Sequence, residues 1–256
     1  MEKFIELMNK LADISGDILR SKFRQVFLTS SKGDIPSNTV TEVDQLVEKT
    51  IKEEILKVFP DHNFVGEETE NIKTKSIYTW VIDPIDGTSA FVCGKPTFCT
   101  LIGLLKNNKP YLGLINQPIS NERWIGGEGM KTLFNNQVCK TSDSLQNLRI
   151  CATTPLMFNE EEFGLFKKLT KICTTKNWGG DAYLYGLLAI GQIDIVCESD
   201  LQIYDIAALI PIIEGTGGTV TDWQGNKIVF DNFNHQFLAC SNSEVLKRVL
   251  EVLNKS

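Results

Sequence analysis

Two carboxylates, separated by two residues, stand at the end of an apolar run in Trp80-Val81-Ile82-Asp83-Pro84-Ile85-Asp86-Gly87-Thr88. The run can form a buried strand, and the proline stiffens its exit, so both acids are held close together. Hard oxygen donors at this density suit Mg²⁺, which binds few protein carboxylates and keeps positions for water and phosphate. Gly87-Thr88 lets a ligand approach the backbone closely, with N–H groups able to hold a phosphate oxygen. The same six residues also fit an ordinary Asp/Gly turn, so further acids must decide between the two.

Three more places offer them. Glu67 and Glu68 follow Gly66, where paired acids on a loop are usually solvated surface. Thr41-Glu42-Val43-Asp44 has the spacing of a capped helix start, with Thr41 as cap and Asp44 bonding back. Asp205 opens the expected helix Asp205-Ile206-Ala207-Ala208-Leu209, where the helix dipole stabilises a carboxylate whether or not it binds metal.

The elements that must position these acids follow from periodicity. Phe4, Leu7, Met8, Leu11, Ile14 and Ile18 predict an amphipathic helix within residues 1–24, and Leu46, Val47, Ile51, Ile55 and Val58 a second one ending at Phe59-Pro60. Between them the polar run 29–38 predicts a loop. Tyr78 to Ile82 predicts a strand terminated by Asp83-Pro84, and further strands are expected at 98–105, 111–116 and 122–127. Thereafter strands near 148–152, 172–175, 193–197, 218–222 and 236–240 alternate with helices at 160–170, 182–190, 205–214 and 243–254. That alternation argues for α/β layers. Polar residues at 140–147 mark a plausible division between portions 1–144 and 145–256 of one compact unit.

Composition limits the partners. The 256 residues, 42% hydrophobic and 23% charged, are enough for a sizeable core. Net charge is −6, and no basic cluster could neutralise several phosphates, which argues against nucleic acid. An acidic protein acting on a phosphorylated substrate needs another source of positive charge, and a metal ion supplies it. No apolar run approaches the roughly 20 residues that span a bilayer, and the start lacks a signal-peptide layout, so no membrane association and a cytoplasmic location are expected. The seven cysteines form no CxxC pair and lie mostly in apolar runs, which favours reduced, buried thiols.

Taken together, the chain resembles the inositol monophosphatase-like superfamily of lithium-sensitive, metal-dependent phosphatases. Its D-P-[IL]-D-G-T signature is present at Asp83 to Thr88, and its W-D or Y-D pair leading to a glycine pair is matched from Tyr204-Asp205 through Gly217-Gly218. Its G-E-E and T-x-x-D elements are at Gly66-Glu67-Glu68 and at Thr41 to Asp44. The resemblance implies a layered αβαβα sandwich of the inositol monophosphatase / fructose-1,6-bisphosphatase type, and a homodimer. It further implies that Glu67, Asp83, Asp86 and Asp205, with the Ile85 carbonyl, hold about two to three Mg²⁺ ions. Glu67, Asp83 and Ile85 would bind the first metal, and Asp83, Asp86 and Asp205 the second. Thr88, oriented by Asp44, would position and deprotonate the attacking water, while the Gly87 and Thr88 N–H groups hold the phosphate. No histidine or cysteine carries chemistry in this reading.

The stretch Trp178-Gly179-Gly180-Asp181-Ala182-Tyr183, with Glu198 seven residues before Asp205, looks like the histidinol-phosphate phosphatase branch. Gln117-Pro118-Ile119, Glu122-Arg123-Trp124 and Pro211-Ile212-Ile213-Glu214-Gly215 look like it too. A substrate with an ammonium and an imidazole gains from carboxylates beyond the metal set, and Asp181 and Glu198 are the candidates. Asp181 also fits a helix N-cap, and Glu198 the polar end of a strand. Departures from the branch are Ala182 in place of a common cysteine, Ser89 in place of a basic residue, and the run from Lys32 to Thr41. The expected reaction is hydrolysis of histidinol phosphate. Inositol 1-phosphate or another sugar phosphate is the alternative substrate, and a transcription-associated interaction protein the non-enzymatic one.

Overall fold

The structure is a computed structural model that describes residues 1–25, 29–31 and 39–254. Its first quarter holds α1 (Glu2–Lys22), a short antiparallel pair of β1 (Thr29–Ser31) and β2 (Thr39–Thr41), then α2 (Glu42–Val58). So 29–31 are strand rather than loop, and of the departing run from Lys32 to Thr41, 39–41 form β2 while 32–38 lie outside the described residues.

Next comes a seven-stranded sheet built in chain order from β3 (Asn63–Gly66) and β4 (Tyr78–Asp86), then, after the short α3 (Thr88–Val92), β5 (Cys99–Lys106), β6 (Lys109–Gln117), β7 (Glu122–Gly127), β8 (Met130–Phe134) and β9 (Gln137–Val138). Only the β3–β4 pair is parallel. The strands β3, β8 and β9 are short or mostly polar, so no alternating pattern announces them.

A second, five-stranded sheet follows, in the order β11-β10-β12-β14-β13. Its elements are β10 (Arg149–Ala152), α4 (Glu160–Thr170), β11 (Thr175–Trp178), α5 (Tyr183–Ala189), β12 (Ile195–Glu198), α6 (Ile203–Ile206), α7 (Leu209–Glu214), β13 (Thr219–Thr221), β14 (Phe237–Cys240) and α8 (Ser243–Leu253). β11 begins later than its sequence implies because Lys171 and Ile172 extend the α4 terminus, their N–H groups bonding to Lys168 and Leu169. The expected helix 205–214 is two helices. Pro211 has no N–H for the Ala207 carbonyl, so the ladder is interrupted between them.

Three apolar layers show how the pieces stack. Ile102, Leu104, Leu114 and Ile125 pack against α1 and α2, while Cys99, Leu101, Ile115 and Trp124 on alternate positions of the same strands pack against α5 and α7. In the second sheet Val196, Phe237 and Ala239 face those middle helices, and Ile195, Cys197, Leu238 and Cys240 face α4 and α8. This period-two division, apolar on both sides, produces the αβαβα sandwich. Among the described residues no helix is long and apolar enough to cross a membrane.

A row of glycines sets the spacing of the middle layer. Gly103, Gly113 and Gly126 are register partners across β5, β6 and β7. A Cβ at Gly113 would lie 2.7 Å from the Ala208 carbonyl carbon, and one at Gly126 2.7 Å from Ile212 Cα. Without side chains there, α6 and α7 rest directly on the sheet, which brings Asp205 to the end of β4.

Candidate active site

β4 does not stop at Asp83-Pro84. It runs on to Asp86 through an irregularity in its pairing with β5 between Asp83 and Asp86. Such a bulge re-aims side chains. Here Asp83 Oδ1 accepts the Ile85 N–H at 3.0 Å, and Thr100 Oγ1 donates to the Pro84 carbonyl at 2.9 Å. Gly87 follows in the left-handed region at φ 86, which turns the chain into α3.

Asp205 arrives from the other half of the chain. It is the third residue of α6 rather than the first, and its Oδ2 accepts the Gln202 N–H at 2.6 Å. One ligand oxygen from each of Asp83, Asp86 and Asp205 lies within 4.8 Å of the others. Glu67, at the end of β3, faces the same cleft of about 200 Å³ without belonging to that tight group.

These carboxylates carry a common electrostatic load. Burial first, then the charges of Glu67, Asp86 and Asp205, push Asp83 well above the ordinary carboxylate range. Burial, then Asp181 and Asp205, do the same to Asp86. Asp205 is raised by burial to about 7. No lysine or arginine lines the cleft among the described residues. Buried hard oxygens that repel one another fit a divalent cation, which would neutralise them.

Behind Thr88, Thr41 caps α2 through its hydroxyl, and Asp44 bonds back from the third position. Asp44 Oδ2 accepts both the Thr41 N–H at 2.8 Å and the Thr41 hydroxyl at 2.5 Å. The capping reading of Asp44 therefore holds, and its other oxygen, buried behind the cleft lining, accepts from the lining residue Thr88 through Oγ1 at 3.0 Å. The Thr88 hydroxyl also lies 2.9 Å from the Ile85 carbonyl. Burial raises the Asp44 carboxyl, against hydrogen bonds from Thr41 and Thr88.

Glu48 escaped the sequence reading. It is fully buried one turn beyond Asp44, and its carboxylate accepts the N–H groups of Glu67, Glu68 and Thr69 at 2.8, 2.9 and 2.7 Å, plus the Thr69 hydroxyl. The loop carrying Glu67 is thus built around a buried charge. The available signal was an acid on the apolar face of α2, between Val47 and Ile51.

Asp181 and Glu198 complete the cleft. Asp181 is not an N-cap: it sits at φ 48, α5 has no side-chain cap, and its carboxylate accepts no hydrogen bond from the described residues. Burial and the Glu198 charge raise it to about 6, with Lys95 pulling the other way. Glu198 ends β12, and its oxygens accept from the Thr153 N–H and the Tyr185 hydroxyl, both at 2.6 Å. Tyr185 is a second residue the sequence reading missed.

The histidines stand apart from the cleft: His62 stacks on Phe59 at 4.5 Å and accepts from Trp80 Nε1, and His235 meets the Leu201 carbonyl. All seven cysteines are free, but Cys93 is exposed, because it caps the solvent-facing end of the five-residue α3.

The sequence profile of the inositol monophosphatase family matches residues 1–256. The chain belongs to the inositol monophosphatase family. Within the family it is 39% identical over 265 residues to the bifunctional phosphatase IMPL2, chloroplastic, of Arabidopsis thaliana, covering 99% of this chain and 75% of that one. It is 29% identical to the histidinol-phosphatase of Chlorobaculum parvum, over 89% of this chain and 87% of that one. An inositol monophosphatase structure from Zymomonas mobilis superposes with a TM-score of 0.87 at 34% identity, covering 98% of each chain. As an inositol monophosphatase family phosphatase, the protein acts on a small phosphorylated substrate.

Proposed function

We propose that this phosphatase is Mg²⁺-dependent and hydrolyses histidinol phosphate to histidinol and inorganic phosphate. The observation that carries the substrate is the position of Asp181 and Glu198 in the same cleft as Asp83, Asp86 and Asp205. A phosphate alone gains nothing from two additional acids, whereas an ammonium or imidazolium on the leaving group does.

In this reading residues 1–144 hold most of the metal ligands and residues 145–256 close the cleft. Glu67, Asp83, Asp86, Asp205 and the Ile85 carbonyl would hold two to three Mg²⁺ ions. Bound there, the metal lowers the pKa of water and offsets charge on the phosphate and the departing oxygen.

The protein's own groups do the rest. Thr88 donates its only hydroxyl proton to Asp44 Oδ1, which leaves the Thr88 oxygen lone pairs to accept a hydrogen bond from the attacking water. Asp44, held by Thr41 on its other oxygen, takes up proton density as the water's O–P bond forms. The Gly87 and Thr88 N–H groups hold a phosphate oxygen. The P–O bond to the substrate carbon skeleton breaks, and the alkoxide oxygen leaves with a proton from solvent. Asp181 and Glu198 bind the cationic part of the leaving group.

Inositol 1-phosphate is the second reading, favoured by the likeness to the Zymomonas mobilis inositol monophosphatase. Phosphate release from both substrates at equal enzyme and Mg²⁺ decides between them: kcat/KM is expected to be higher for histidinol phosphate, and the reverse order overturns the substrate assignment. Homodimerisation comes from the same resemblance and is checked by sedimentation.

A further inference from the structure

Away from the catalytic cleft, α1, the β6–β7 turn and the β8–β9 turn enclose a polar cavity of about 280 Å³. Two of the chain's five arginines line it, Arg20 from α1 and Arg123 from β7.

Arg123 belongs to the framework. Its Nε donates to Asn116 Oδ1 at 3.0 Å, Nη1 to Asn9 Oδ1 at 3.1 Å and Nη2 to Asp13 at 2.7 Å, which fastens α1 to the sheet. Arg20 is less committed. It donates to the Pro118 carbonyl at 3.1 Å and to Asp17 at 2.7 Å, so three of its five N–H donors bond to none of the described residues. Gly16 leaves room for this pose, since a Cβ there would lie 3.2 Å from Arg20 Nη1 and 3.3 Å from Asn116 Nδ2.

Burial separates the two signs of charge. The side chains of Arg123 and Arg20 are 25% and 43% exposed, while those of Asp13 and Asp17 are 69% and 79% exposed. Solvated counter-charges of that kind hold weakly, and a ligand oxyanion competes with them. Asn121 and Asn136 also line the cavity, and their side-chain amides bond to none of the described residues. The walls are otherwise apolar only at Pro118 and Ile125.

We infer that this cavity binds a small anionic metabolite carrying one oxyacid group beside a hydroxyl or an ammonium, the class of hydroxy acids and amino acids. The oxyacid meets the remaining N–H donors of the Arg20 guanidinium, with the fixed charge of Arg123 beside it. Asp13 accepts from the hydroxyl or ammonium, and the two free asparagine amides complete the shell. Two arginines are too few for a nucleic acid backbone, and the lining is too polar for an apolar ligand.

The test is a calorimetric titration of the full chain with D-glycerate and L-serine, set against glycerol and ethanolamine, which lack the oxyacid. Saturable binding of at least one acid and of neither control is expected. Arg20→Gln weakens it about tenfold or more, and Arg20→Lys by less. Arg20 touches nothing in the catalytic cleft, so phosphate release by either variant without added acid stays at the wild-type rate and shows that it is folded. Absence of saturable binding by both acids, or unchanged affinity in Arg20→Gln, overturns the site. Binding is read directly, so that failure is distinct from failure of the proposed phosphatase substrate.

Discussion

Asp86 Oδ1 accepts the backbone N–H of Ala182 at 2.5 Å, joining residues 96 apart in the chain. The bond ties the end of β4 to the start of α5, and so ties the acidic cluster to the wall that carries Asp181. At the same junction a Cβ on Gly87 would lie 2.9 Å from Asp181 Cγ, at a backbone φ of 86. Gly87→Ala is therefore expected to be strained by about 1–3 kcal/mol and to lower kcat/KM by about a hundredfold or more through misplacement of Asp86 and Asp181. Steady-state kinetics and a denaturant melt check both effects.

Asp83→Asn should separate activity from stability. Loss of a ligand carboxylate at the centre of the cluster is expected to lower kcat on the order of a thousandfold. Without metal, the same change removes a buried charge that burial, Glu67, Asp86 and Asp205 all disfavour, so the chelated variant should melt several degrees above the chelated wild type. A metal-free variant that melts lower than wild type contradicts the electrostatic account.

The pH dependence of the metal-free protein should run opposite to ordinary acid denaturation. Asp205 is raised by burial to about 7 from a usual 3.8, so the folded state binds the proton more tightly than the unfolded state. Folding thus carries a penalty that is full above pH 7 and vanishes below about pH 4. Chelated protein should gain stability as pH falls from 8 towards 5, and added Mg²⁺ should raise the melting temperature most at the alkaline end. Differential scanning calorimetry with and without chelator reads both trends.

Glu48→Gln replaces a carboxylate that accepts four hydrogen bonds from Glu67, Glu68 and Thr69. An amide nitrogen in place of one oxygen faces donors, so a stability loss of about 1–3 kcal/mol is expected. Activity should fall mostly at low Mg²⁺ and recover partly at high Mg²⁺, because the displaced loop carries Glu67. Mg²⁺ titration of the rate at saturating substrate distinguishes this from a general folding defect, which added metal would leave in place at a permissive temperature.

Asp181→Asn should act on the leaving group rather than on the phosphate. KM for histidinol phosphate is expected to rise about tenfold or more, with a smaller change for inositol 1-phosphate, which offers no cation to lose. Equal losses on the two substrates would remove the reason for assigning Asp181 to the substrate.

Local chemistry was legible wherever one segment contains it. Asp83 to Thr88, the Thr41–Asp44 cap and most helices follow from residue type and spacing, because proline, glycine and capping residues act within a turn of the chain. The short strands β8 and β9 and the division of 205–214 into two helices were not legible in that way. The first depend on β8 pairing with β7 and β9 with β8, and the second on what the missing Pro211 N–H means once Ala207 and Ala208 lie on a sheet.

By itself, the sequence determined that carboxylates dominate the chemistry, that the layers are α/β, and which family the motifs resemble. Only the tertiary structure decided which acids meet. The glycine row Gly103, Gly113 and Gly126 lets α6 and α7 rest on the first sheet and brings Asp205 to Asp83 and Asp86, an approach set by backbone contacts between segments about a hundred residues apart. Glu48 became part of the site for the same reason: a buried carboxylate needs donors, and here they come from the loop that holds Glu67.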